Sequence, residues 1–335
     1  MQHDDTRRQP CLVEFRPAFR LPLLASLAMA ASASSAEPAS SSAAAAPTFS
    51  VQIHGVAVPV ECHPASPGLD LARAVKAKPF VDWAAGLEPG LQVRRVLVSG
   101  VDFFGPRVGF LKIEAEATFH GLKVPGIVFL RGGAVSILVL LRCEGEVYVV
   151  CTRQPRVPVG RSALLELPAG MLDDSGAFAG VAAKELSEET GIRLTAADLV
   201  DLTARALGLD EAEAAAGGGG SGSGAAAGSG AAAGSGAAAA DVAAARELRR
   251  GDAPVRGMYP SAGGCDEFLR LMFHEREVTR AELDAMRGKA TGNLEEGEVI
   301  VLEIIRYELL WRVCSDAKAL SSMLLFERLR AAGQL

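Results

Sequence analysis

The spacing of apolar positions along the chain predicts a strand-rich body with few helices. Residues 49–60, 93–98, 108–119, 127–130, 134–141, 147–152 and 163–167 form short runs, either alternating apolar with polar or continuously apolar. Both patterns read as strands. The period then changes: between 177 and 190 apolar residues recur every three to four positions, which predicts a helix. Two more strands are expected at 268–274 and 299–305, and helices at 280–287 and 316–332. Strands on both sides of a central helix, with another helix closing the chain, predict a mixed α/β sandwich.

Two stretches carry no such pattern. Residues 1–49 hold Arg7, Arg8, Arg16 and Arg20 but no lysine, followed by a dense Ala/Ser tract. An Arg- and Ser-rich leader of this kind suggests an organelle transit peptide. A secretory signal is the alternative, because 21–29 is a short apolar stretch and 31–33 reads Ala-Ser-Ala; Asp4 and Asp5 fit neither. The second tract, 214–245, is Ala, Gly and Ser apart from Asp241 and Val242. It reads as a disordered insertion in a surface loop, tolerated because loop-closure entropy grows slowly with length.

Composition narrows the function. The chain has 335 residues and a formal charge of −6, which excludes a general nucleic-acid or anionic-membrane binder, since those need clustered Lys and Arg. No apolar run reaches the roughly 18–20 residues needed to span a bilayer. The six cysteines and five histidines are scattered, with no C-x-x-C and no zinc spacing, so free thiols are expected. The glycine signatures of dinucleotide-binding and P-loop folds are absent.

The informative segment is Leu167-Pro168-Ala169-Gly170 and the helix that follows it. Glu185, Glu188 and Glu189 stand at i, i+3 and i+4 of that helix, with Gly191 as its expected C-cap. Like charges at these spacings cost roughly 0.2–0.5 kcal/mol per pair, and they lie near the end where the helix dipole disfavours anions. An isolated E-x-x-E-E is ordinarily a solvated acidic face. Here Pro168 and Gly170 break the chain before the helix, and a tight loop there can aim a backbone carbonyl at the same place. A hard divalent cation bound by carboxylates offsets the repulsion, and Mg2+ commonly takes one or two carboxylates together with substrate phosphates. The arrangement suggests diphosphate chemistry.

The segment resembles the Nudix box, G-x5-E-x7-R-E-U-x-E-E-x-G-U, where U is aliphatic. Gly170, Glu185, Leu186, Glu188, Glu189, Gly191 and Ile192 match at the right spacing. Gly176 stands where the first glutamate is expected and Lys184 replaces the arginine. Lysine keeps the charge but loses the planar fork, and Asp173 and Asp174 are near enough to substitute for the missing acid. The segments 125–132, 154–160, 166–174, 260–267 and 316–320 are further similar to the ADP-sugar diphosphatases of plant plastids within that family.

The resemblance implies an α/β fold: a Nudix α/β/α sandwich with a mixed sheet over 129–335, preceded by a small β module over 50–128. It implies a Mg2+ site (Mn2+ as the substitute) formed by the carbonyl of Ala169 with Glu185, Glu188 and Glu189. Glu185 and Glu188 then share catalytic duty with Glu296 or Glu298 as general base or further ligand. Arg156 would hold the diphosphate, and the loop of Ser261, Gly263 and Gly264 would line the substrate pocket. Cys265 is set aside as a nucleophile because no histidine adjoins it and the family uses water. A homodimer in the plastid stroma is implied, with a secretory or cytoplasmic location as the alternative. The expected activity is hydrolysis of an ADP-sugar, ADP-glucose first, to AMP and a sugar 1-phosphate. ADP-ribose or another nucleotide sugar is the competing substrate; enzymes of that subgroup often carry a proline about fifteen residues after the box, yet 193–216 contains none. A binding module that senses nucleotide sugars without cleaving them is the competing class, with Gly176 and Lys184 as its support.

Overall fold

The computed structural model describes residues 49–172, 177–209, 256–292 and 298–335. The leader (apart from Phe49), the insertion at 214–245, Asp173, Asp174, Gly176 and Glu296 lie outside the described residues. Two sheets organise the rest.

The first sheet starts with a hairpin. The apolar run at 49–60 is divided into β1 (Phe49–Ile53) and β2 (Val56–Cys62) by His54 and Gly55, whose φ values are 49° and 76°. Two successive positive φ angles suit a two-residue turn between twisted strands. Two short helices follow, α1 (Leu71–Ala74) and α2 (Lys78–Ala85). The expected β module named no helices here. They are too short for periodicity to reveal, and their signals are local: the Asp70 side chain accepts from the Arg73 N–H at 3.1 Å, and Pro79 occupies the first turn of α2. Then come β3 (Leu91–Phe104), β4 (Arg107–Phe119), β5 (Leu122–Val124) and β6 (Ile127–Leu130). Their order is β1-β2-β3-β4-β5, with β6 also on β4. Val60, Val96, Val98, Leu111 and Ile113 pack under Leu71 and Phe80. Since β6 pairs with β4, the strand that straddles residue 128 belongs to this sheet.

The second sheet comprises β7 (Ala134–Cys143), β8 (Glu146–Arg156), β9 (Arg161–Glu166), β10 (Ala169–Met171), β11 (Val200–Asp201), β12 (Leu269–Glu277), β13 (Ala290–Thr291) and β14 (Ile300–Arg306). Its order is β11-β12-β7-β8-β14-β13, with β10 beside β7 and β9 beside β8. β7 and β12 run parallel while β7 and β8 run antiparallel, so the sheet is mixed. The helices are α3 (Phe178–Thr190), α4 (Leu202–Leu207), α5 (Arg280–Met286), α6 (Leu310–Val313) and α7 (Ala317–Ala331).

β7 explains the layering. Val135, Ile137, Val139 and Leu141 face Phe178, Val181 and Leu186 of α3. Leu138 and Leu140 face Met323, Phe326 and Leu329 of α7. A strand covered on both sides reads as one continuous apolar run, as this one does. The expected α/β/α sandwich is therefore present. The described cysteines, Cys62, Cys143, Cys151, Cys265 and Cys314, are free thiols, and three are buried.

Candidate active site

β10 and α3 build the site. β10 is held against β7 and delivers Ala169 and Gly170 to one side of α3. Gly191, with φ 75°, closes α3 as the expected C-cap, its N–H donating to the Ser187 carbonyl at 3.0 Å.

The three glutamates of α3 do not share one environment. Successive residues turn by about 100° around a helix, so Glu189 lies about 40° to one side of Glu185 and Glu188 about 60° to the other. The buried face of α3 includes Val181, Ala182, Leu186 and Glu189. Glu189 is accordingly only 5% exposed, Glu185 is half-buried and Glu188 is exposed. Glu188 points toward Lys184, at 3.8 Å across one helical turn.

Glu189 is the centre of the arrangement. Its carboxylate accepts the backbone N–H of Ala169 at 3.1 Å. Burial pushes its pKa up to about 8; the Ala169 N–H opposes this, the Glu185 and Glu298 carboxylates add to it, and Arg156 counters it. Glu185, Glu298 and Arg156 therefore all lie within electrostatic reach of Glu189. Glu185 lies across Gly170 so closely that a Cβ at 170 would stand 2.0 Å from its Cδ. Glycine is what allows strand and side chain to approach.

Arg156, at the end of β8, is held from behind. Its Nε donates to Glu166 Oε2 at 2.6 Å, and Lys318 Nζ donates to Glu166 Oε1 at 3.0 Å and to Asp316 Oδ1 at 3.0 Å. Glu166 is buried at the end of β9. The aliphatic pattern gives Glu166 and Lys318 no functional signal, although both fall within the segments 166–174 and 316–320.

The loop of Ser261, Gly263 and Gly264 lies against β6. Its turn is closed by Gly264 and Cys265 N–H groups donating to the Ser261 carbonyl, and the Gly264 carbonyl accepts from Phe129 of β6. Gly263 lines a groove of about 1230 Å³ along the first sheet, with Pro125, Gly126 and Ile127. A Cβ on Gly263 or Gly264 would meet nothing within 4 Å, so neither glycine is needed for close packing among the described residues. The structure thus brings Ala169, Glu185, Glu298 and Arg156 within reach of Glu189, leaves Glu188 exposed, and places the glycine loop against β6.

The donor set fits a hard divalent cation. Two to three carboxylates gathered in a poorly solvated place, one of them strongly destabilised as an anion, are relieved by a metal that takes oxygen ligands. Among the described residues no group of three or more His, Cys, Asp or Glu side chains closes on a single point. No described helix is long and apolar enough to cross a membrane.

Residues 130–213 match the NUDIX domain family. The chain is 37% identical over 277 residues to Nudix hydrolase 14, chloroplastic, of Arabidopsis thaliana, covering 79% of this chain and 74% of that one. It is 44% identical over 57 residues to putative nudix hydrolase 2 of Caenorhabditis elegans, covering 17% of this chain and 25% of that one. A solved structure titled as an ADP compounds hydrolase aligns at 12% identity with a TM-score of 0.38, covering 73% of this chain and 99% of that one.

Proposed function

This chain belongs to the Nudix hydrolase family, an enzyme acting on phosphoric anhydrides, and we propose that its substrate is an ADP-sugar, ADP-glucose first, cleaved to AMP and the sugar 1-phosphate. The observation that carries this reading is the meeting of Glu189, Glu185 and Ala169, with Glu298 and Arg156 both within electrostatic reach of Glu189. It supports a carboxylate pole for a metal next to a guanidinium pole for a diphosphate. Similarity to the plastid enzymes over 125–132, 154–160, 260–267 and 316–320 supports the choice of an ADP-sugar.

Glu185, Glu189 and the Ala169 carbonyl would hold Mg2+, with Mn2+ as a substitute and Glu188 as a further ligand after a rotamer change. When bound, the ion supplies charge neutralisation on the diphosphate. Arg156 orients the diphosphate oxygens through charge-assisted hydrogen bonds. Glu298, or Glu296 outside the described residues, accepts the proton of the attacking water. The new bond joins water oxygen to phosphorus, the bridging P–O bond breaks, and the other phosphate leaves. The buried side of Glu189 keeps bulk water from that carboxylate. The protein works as a homodimer in the plastid stroma; the chloroplastic relative and the Arg/Ser-rich leader support the location.

The test is incubation of the full chain with Mg2+ and ADP-glucose, ADP-ribose, UDP-glucose or GDP-mannose, with quantification of nucleoside monophosphate and sugar phosphate. AMP and glucose 1-phosphate should form fastest from ADP-glucose. Preference for ADP-ribose would overturn the substrate but keep the chemistry. No product from any of them with Mg2+ or Mn2+ would overturn catalysis and favour a sensor.

A further inference from the structure

Arg156 meets its carboxylate differently from three other arginines. The Nε–H groups of Arg95, Arg156, Arg270 and Arg280 each donate to a carboxylate. For Arg95, Arg270 and Arg280 the neighbouring terminal nitrogen, Nη2, donates to the same carboxylate as well. That doubling is the ordinary arrangement, because the guanidinium fork presents two N–H groups side by side. Arg156 is the exception: its Nε–H donates to Glu166 Oε2 at 2.6 Å, and neither terminal nitrogen is hydrogen-bonded to Glu166.

The difference lies on the far side of Glu166. Its other oxygen, Oε1, is filled by Lys318 Nζ at 3.0 Å. Lys318 is itself fixed. Its ammonium also donates to Asp316 Oδ1 at 3.0 Å, and the same oxygen accepts the Lys318 backbone N–H at 3.1 Å as the N-cap of α7. Burial pulls the ammonium pKa down, but Asp316 and Glu166 outweigh burial and hold it above its ordinary value, so Lys318 is a cation at neutral pH. The residues before it are tied to the same strand, since the Cys314 thiol donates to the Leu165 carbonyl at 3.2 Å. Glu116 shows that a second cation is not enough. It carries Arg94 on Oε2 at 2.9 Å, yet Arg95 still donates to it with two nitrogens. Arg94 is exposed and can yield, whereas the Lys318 side chain is 18% exposed and anchored to two carboxylates.

We propose that Lys318 is a positioning residue for the substrate diphosphate: by filling Glu166 Oε1 from a fixed place it limits Arg156 to its Nε contact and leaves both terminal nitrogens for the substrate. The inference rests on the reading of Arg156 as the residue that holds the diphosphate, and Lys318 acts only through Arg156. The reason is local chemistry. Glu166 is buried, and a buried carboxylate oxygen without a donor is costly. Without Lys318 the nearest remedy is the second arm of the guanidinium fork, which would turn Arg156 fully onto Glu166. With Lys318 in place Glu166 is already satisfied at both oxygens, and the guanidinium is held by one nitrogen.

The test is steady-state kinetics of the full chain with Mg2+ and the nucleotide sugar that wild type cleaves fastest. In Lys318→Met the unfilled Oε1 draws in a terminal nitrogen of Arg156, and KM should rise about tenfold while kcat stays within about twofold. Lys318→Gln is the second variant. It keeps a donor for the two carboxylates and so protects the fold; its neutral amide holds Oε1 less firmly, and KM should rise about threefold. In an Arg156→Ala background, where KM is already raised, neither substitution should raise it further. Melting curves establish which variants are folded. A wild-type KM in either folded variant would overturn the proposal, as would a loss confined to kcat. A KM increase that persists undiminished in the Arg156→Ala background would overturn it too, by placing the effect of Lys318 elsewhere. An unchanged KM in Arg156→Ala alone would instead remove Arg156 from the diphosphate, and the proposal with it.

Discussion

The Glu185 side chain occupies the space that a Cβ on Gly170 would need, with Cδ, Cγ and Oε1 of Glu185 lying 2.0, 2.2 and 2.3 Å from that position. The obstacle is the flexible end of a side chain and not backbone, and Gly170 does not adopt a positive φ. A methyl group there can be accommodated by swinging Glu185 away. Gly170→Ala should therefore leave the melting temperature within a few degrees of wild type while lowering kcat by about two orders of magnitude, as expected when a metal-holding carboxylate is misplaced. Steady-state kinetics beside calorimetry checks this. Full activity in Gly170→Ala would remove Glu185 from the site.

Glu189 separates stability from function. Burial raises its pKa to about 8, above the ordinary value of 4.5, so the folded protein holds the protonated form more tightly than the unfolded chain does. The sign follows: its contribution to stability is fully present below about pH 4.5 and is progressively lost as pH rises to about 8. In EDTA, Glu189→Gln should match wild type near pH 4 and exceed it by a few kcal/mol near pH 9, measured by denaturant unfolding. The same variant should lose at least about a hundredfold in turnover. It should also lose the Mg2+-induced rise in melting temperature that ligand linkage gives the wild type.

Much of this architecture is written in the hydrophobic pattern. The run at 127–130 is β6 unchanged, and the periodic stretch at 177–190 is α3 within one residue. Long, doubly covered strands such as β7 carry an unmistakable apolar signal because both faces are buried. The short helices α1 and α2 carry none, since one or two turns cannot establish a period; Asp70 and Pro79 are their only marks. At the site, spacing gave Gly191 as the C-cap of α3 and put Glu185 and Glu189 on one helix after Gly170. It also placed Glu188 beside them, and the helix leaves Glu188 exposed while Glu189 is buried. The Glu166–Lys318 pair joins residues 152 positions apart, and neither local propensity nor periodicity encodes such a contact.

That pair makes the next prediction. Lys318 is the shared donor for Glu166 and Asp316, whose side chains are 5% and 7% exposed. Removing it strands two buried carboxylates, although Glu166 keeps Arg156. Lys318→Met should destabilise the fold by about 2–4 kcal/mol, read from urea unfolding. Adding Glu166→Gln should recover part of the loss, because one of the stranded charges is then gone. Additive losses in the double variant would show that the two residues do not act as a pair.

Arg156 carries two tasks on one side chain. Its Nε is committed to Glu166 at 2.6 Å, and no terminal nitrogen of Arg156 is hydrogen-bonded among the described residues, which leaves both to meet a diphosphate. Lysine supplies a single ammonium, so it can neutralise Glu166 or reach the substrate but cannot hold the forked geometry for both. Arg156→Lys should therefore melt close to wild type and raise KM for the nucleotide sugar by about tenfold, roughly the value of one charge-assisted contact. Arg156→Ala should lose stability as well, because Glu166 then depends on Lys318 alone. If Arg156→Lys instead lowered stability and left KM unchanged, Arg156 would be a structural partner of Glu166 and the diphosphate would have to be held by other residues.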